Sequence, residues 1–127
     1  MDTNNVNQTD IRTESIEYNK DNIYFIFNLS FNSEKIIINI KNEKTFQYKE
    51  YESKFNFNEL KSFHIFFTQF KNVEMIGNLF LNLIKGNKAT LYEKNNVIIF
   101  SFLNITEEKI NISLKKNNYR IMIQLKN

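Results

Sequence analysis

The sequence predicts an α+β domain: an antiparallel β-meander, a helical hairpin and a second antiparallel β-meander, closing as a β-sandwich or half-open barrel with a helix-turn-helix. Three observations predict it. Apolar and polar residues alternate through most of residues 16–50 and 89–125; the apolar spacing switches to three and four between Asn58 and Gly86; and Asn-rich breaks separate the runs. A chain of 127 residues, 42% hydrophobic with 13 Phe and a formal charge of only +3, has apolar content enough for one core and length for one domain.

Residues 1–14 are polar and without periodicity, so a disordered N-terminal tail is expected there and a single globular domain over 15–127. Ile16 and Tyr18 suggest a short first strand, and Asn19 to Asn22 a turn. Ile23, Phe25, Phe27, Leu29 and Phe31 alternate with Tyr24, Ile26, Asn28 and Ser30, the pattern of a half-buried strand. After the turn Asn32-Ser33-Glu34 comes the β-branched run around Ile36, Ile38 and Ile40. Phe46, Tyr48 and Glu50 continue the meander, which is expected to end in the charged stretch from Glu50 to Lys54.

Asn58 reads as an N-cap followed by Glu59, whose charge suits the positive end of a helix. Leu60, Phe63 and Phe67 form the stripe of a first helix, thickened by Ile65, Phe66 and Phe70. Asn72 caps a second helix with Val73, Ile76, Phe80, Leu83 and Ile84 on its apolar side, and Gly86 stands where a left-handed residue ends one. Strands resume at Ala89, Leu91 and Glu93. Asn95-Asn96 then makes a two-residue hairpin loop, and the nearly continuous apolar run from Val97 to Leu103 predicts a strand in the middle of a sheet. Ile110, Ile112 and Leu114 form a further strand, and Asn117-Asn118 turns into a last one with Ile121, Ile123 and Leu125.

The chemistry of enzymes is thinly represented. The chain has no Cys and one His, and its three Asp, at positions 2, 10 and 21, lie in or beside the expected tail, so no catalytic residue, no metal ligand set and no cofactor is assigned and no enzyme is expected. His64 lacks the second His, Cys or carboxylate at helical spacing that a metal motif needs and is read as structural. Gly77 and Gly86 are isolated, which excludes a glycine-rich phosphate loop. The N-terminus has no basic and apolar leader and no window is long enough to span a bilayer, so a cytoplasmic protein without membrane contact is expected.

Two clusters carry binding hypotheses. Aromatic residues exceed what one helix contact needs, so Phe63, Phe66, Phe70, Gly77 and Leu81 of the helical hairpin form a candidate surface for a protein partner or a second copy. Lys115, Lys116, Tyr119, Arg120 and Lys126 form the best candidate contact for nucleic acid, the alternative reading; a small apolar ligand inside a barrel is a third.

The element order, meander then helical hairpin at Asn58 to Gly86 then meander, resembles the globular heads shared by DNA end-joining scaffold proteins and the centriolar cartwheel protein, and a similar domain of low-complexity protist proteins. That resemblance covers about residues 15–125. It implies a non-catalytic scaffold module, a small subunit of a larger intracellular assembly associated with the cytoskeleton or cilium. In the cartwheel-type heads, head-to-head contact uses an apolar residue on a hairpin loop, and neither Asn95-Asn96 nor Lys116 to Asn118 supplies one here.

Overall fold

The computed structural model describes residues 10–42 and 49–115. The first sheet has β1 (Arg12–Lys20), β2 (Ile23–Phe31), β3 (Lys35–Asn42) and β4 (Lys49–Asn56), antiparallel in chain order. Helix α1 (Phe57–Phe63), a 3-10 turn (Ile65–Gln69) and helix α2 (Val73–Lys85) follow. The second sheet has β5 (Ala89–Lys94), β6 (Val97–Leu103) and β7 (Lys109–Lys115), again in chain order with β6 central. The predicted α+β architecture of two meanders around a helical segment is the one observed. Phe46, Tyr48 and the strand around Ile121, Ile123 and Leu125 lie outside the described residues.

Local chemistry explains most of the turns. Asp21 and Asn22, and likewise Asn95 and Asn96, have φ between 53 and 68°, so two hairpins turn through paired left-handed residues whose twist matches the strands. Between β2 and β3 the Asn32 side-chain oxygen accepts from the backbone N–H of Glu34 and Lys35.

The structure departs from the expected boundaries at five places. β1 starts at Arg12, inside the stretch expected to be a tail, because residues 12–15 pair with Phe31 to Asn28, Thr13 and Ser30 hydroxyls meet at 3.1 Å, and the Arg12 guanidinium lies over the Phe31 ring. The charged stretch expected to end the first meander is itself strand β4, since Tyr51 and Phe55 turn inward while Glu52 and Lys54 turn out. The N-cap of α1 is Asn56, not Asn58: its side chain accepts from Glu59 N–H at 2.8 Å and the Glu59 carboxylate returns the bond to Asn56 N–H at 2.9 Å, a reciprocal pair that needs the acid three residues on. The predicted first helix is interrupted at His64, which has extended backbone.

The C-terminus of α2 holds the fifth difference. Gly86 has φ −86°, and Asn87, at φ 58°, takes the left-handed position instead. Lys88 N–H reaches Leu83 C=O at 2.8 Å and Asn87 N–H reaches Ile84 C=O at 3.1 Å, the two bonds of a Schellman cap, with the Asn tolerating the backbone that Gly usually supplies.

The core lies between the inner faces of the sheets and α2. Phe100 on β6 meets Phe27 on β2 edge to face at 5.7 Å and Phe80 on α2 at 5.0 Å, joining all three layers. Tyr18 on β1 reaches across the sheets: its hydroxyl accepts from Leu91 N–H of β5 at 3.2 Å. Gly77 of α2 lies against β2 so closely that a Cβ would sit 2.5 Å from the Phe31 ring. Overpacking of this kind costs about 1–3 kcal/mol, so Gly77→Ala is expected to lower the free energy of unfolding by that amount, read in a urea titration as a lower midpoint at unchanged slope. Asn56→Ala, which removes the cap of α1, is expected to cost about 1 kcal/mol in the same titration.

Candidate functional site

The best-defined exposed feature is the loop between β6 and β7. Asn104 organises it from within: its side-chain oxygen accepts from Thr106 N–H at 3.0 Å, the Thr106 hydroxyl at 2.8 Å and Glu108 N–H at 2.9 Å. Backbone bonds run from Asn104 N–H to Glu108 C=O and from Glu107 N–H to Asn104 C=O, and Glu107 adopts φ 66° to close the turn. The loop so held presents Ile105 outward with 96% of its surface in water, and Leu103 at its base is 58% exposed. A single exposed aliphatic side chain is ordinary; this one is held at the tip of an internally hydrogen-bonded loop, with further apolar surface beside it.

That neighbouring surface comes from the break between α1 and the 3-10 turn. His64 Nδ1 accepts from Phe66 N–H at 2.9 Å, capping the turn, so in the neutral ring the proton sits on Nε2, which donates to the Glu108 carboxylate at 2.7 Å. This bridge ties the β6–β7 loop to the helical segment and stands beside Ile65, 78% exposed. The hydrogen bond from His64, helped by the Asn104 amide, holds the Glu108 carboxyl below its ordinary pKa against a smaller effect of desolvation. Protonation at Nδ1 would replace the acceptor that Phe66 N–H needs.

The residues singled out from sequence fall into separate places. Phe66 and Phe70 are half-buried, stacked edge to face on each other at 5.4 Å, with Phe66 also against Phe102 at 5.7 Å. Leu81 is 3% exposed and Gly77 is buried against Phe31. Gly77 and Leu81, expected at a partner surface, are therefore packed inside the chain's own core, Gly77 against β2. Phe63 alone of the five is largely exposed, at 50%, with its ring edge-on to Phe55 at 5.4 Å. Lys115 is exposed at the end of β7; Lys116, Tyr119, Arg120 and Lys126 lie outside the described residues.

Ile105, Leu103 and Glu108 were not singled out. The legible signal was an Ile among Asn, Thr and Glu in a turn, where no core-facing period requires it.

The outer face of the first sheet carries a second arrangement. The Ser15 hydroxyl donates to Asn28 at 2.7 Å, the Asn28 amide to Asn39 at 3.2 Å, and the Asn39 amide to Glu52 at 2.9 Å and to Glu50, a polar ladder across all four strands. Beneath the other end of the sheet, the Tyr51 hydroxyl donates to the Glu93 carboxylate, and burial, then that bond, pushes the phenol well above its usual range. Among the described residues no cluster of three His, Cys, Asp or Glu could hold a metal ion, and no helix is long and apolar enough to cross a membrane.

Because Glu108 titrates lower folded than unfolded, the stability its bridge adds is present above the ordinary carboxylate range and is lost as pH falls through the folded value. Glu108→Gln is thus expected to lower Tm at pH 7, with the gap to the parent chain narrowing as pH falls below the ordinary carboxylate range in thermal melts followed by circular dichroism.

Comparison with known proteins bears on the fold and the family. No curated protein matches the chain in sequence. The head domain of human CCDC61 shares the fold, with a TM-score of 0.63 at 8% identity over 84% of this chain and 97% of that one, in keeping with the head-domain resemblance of the element order. Residues 3–73, which take in the whole first sheet, α1 and the 3-10 turn, match the family model described as galactoside-binding lectin, and with more than half its length in that match the chain belongs to the galactoside-binding lectin family.

Proposed function

We propose that this chain is a non-catalytic head-type interaction module that docks through the apolar tip of its β6–β7 loop. The observation that carries the reading is Ile105, 96% exposed on a loop held by the hydrogen bonds of Asn104. A docking residue on a stiff loop loses little conformational entropy when it is buried, which favours binding over a floppy equivalent. Leu103 and Ile65 extend the patch, and the His64–Glu108 bridge sets the loop against the helical segment. The fold shared with a head domain supports a scaffold role, and a place in a cytoplasmic, cytoskeleton-associated assembly belongs to the same proposal.

A second reading, carbohydrate binding, is favoured by the family match and by the Ser15–Asn28–Asn39–Glu52 ladder. Amide and carboxylate groups in a row suit sugar hydroxyls, and Tyr24, half-buried on the same face of β2, offers a ring.

Sedimentation over a range of concentrations separates the two. Ile105→Glu is expected to weaken self-association at least tenfold with Tm unchanged, since the site is on the surface. Unchanged association removes the tip as the contact. Titration with lactose, lost in Asn39→Ala but kept in Ile105→Glu, would move the assignment to the sheet face.

A further inference from the structure

The edges of the two sheets meet unevenly on one side of the sandwich. β4 and β7 are edge strands that come together at one point, where Lys115 N–H reaches the Ser53 hydroxyl at 3.3 Å. From there they enclose an open groove of about 690 Å³, walled at one end by Phe63, Ser62 and Glu59 of α1. The Lys115 N–H turns away from β6, so by strand alternation the backbone groups of Ser113 and Asn111 point the same way, into the groove. Among the described residues β7 pairs only with β6, and β4 only with β3. A strand residue takes about 160 Å³ at ordinary strand and sheet spacings, so the groove has room for about four.

The lining is graded. Phe55 and the half-exposed Phe63 make one end apolar. At the other end Lys54 and Lys115 stand beside Ser53 with no ion pair among the described residues, whereas the nearby carboxylates of Glu52 and Glu59 each accept a hydrogen bond, from Asn39 and from Asn56 N–H.

We propose that this groove binds an extended peptide segment of a partner protein by strand addition, the segment carrying an apolar side chain for the Phe55–Phe63 end and an acidic one for Lys54 and Lys115. Backbone pairing along an edge supplies the affinity and the two ends supply the choice of sequence and direction. The groove is lined by β4, β7 and α1 and shares no residue with the Ile105 tip, so it is a separate binding surface.

The test is fluorescence anisotropy on the full chain with a labelled, end-capped octapeptide that alternates isoleucine and serine and has two glutamates at one end. Binding is expected, at least tenfold weaker for the version with lysines in place of glutamates. It should also be at least tenfold weaker for one of the two versions N-methylated at alternate residues. The Lys54→Glu, Lys115→Glu double variant, with an unchanged circular dichroism spectrum, should bind at least fivefold more weakly. Absence of binding, the result expected if the last strand read at Ile121, Ile123 and Leu125 takes the β7 edge, tolerance of both N-methylation patterns, or indifference to the charge reversals would overturn the proposal. So would light scattering in which the same double variant dissociates a dimer, since the groove would then hold a second copy.

Discussion

The seam of Phe27, Phe100 and Phe80 is the contact on which the rest of the structure depends. Each sheet has one apolar face and cannot bury it alone, and α2 has an apolar side that needs both. Phe100, edge-on to Phe27 at 5.7 Å and to Phe80 at 5.0 Å, is the one ring that touches all three layers. Gly77 makes the arrangement feasible, because α2 settles onto β2 only where no Cβ stands between its backbone and Phe31. Once α2 is fixed there, its Schellman cap at Asn87 sets the exit direction that starts β5, and the Tyr18 hydroxyl joins β1 to β5 across the sheets.

That packing also sorts the aromatic surplus. Most of the phenylalanines are consumed in the seam and in the run Phe66, Phe67, Phe70 and Phe102, so what reaches the surface is small and localised. Ile65, Leu103 and Ile105 collect where the 3-10 turn meets the β6–β7 loop, and Phe63 turns toward the β4–β7 groove. His64 sits between these two places and serves both geometries, capping the turn through one ring nitrogen and holding Glu108 through the other. The polar face of the first sheet is different in kind: its groups satisfy one another strand by strand, which keeps the sheet register, and any ligand there competes with those bonds.

How much of this was legible varies by residue. The strands around Phe27, Ile38 and Phe100 announced themselves through alternation or a continuous apolar run, and the Asn95-Asn96 and Asp21-Asn22 turns through residue type. β4 was hidden because its outward positions carry Glu and Lys while only Tyr51 and Phe55 mark the inward ones, and charge near a turn reads as loop. The cap of α1 was misplaced because Asn56 and Asn58 are chemically equal as caps; the acid at Glu59 distinguishes them only when the bond back to the cap is counted. The candidate interface divided for a similar reason: helical spacing tells which residues share a stripe, whereas which stripe faces the sheets depends on where Phe31 stands.

Local periodicity and turn chemistry act over a few residues, so the sequence by itself determined the type of most elements, the switch from strands to helix and back, and the left-handed turns at Asp21-Asn22 and Asn95-Asn96. Which apolar groups are left over is a matter of long-range packing, decided only when two sheets and a helix compete for the same interior. The tertiary structure therefore decided that Gly77 and Leu81 belong to the core. It also decided that His64 meets Glu108 across 44 positions of sequence, and that Ile105, unremarkable in the chain, stands in water at the tip of a stiff loop beside Leu103 and Ile65.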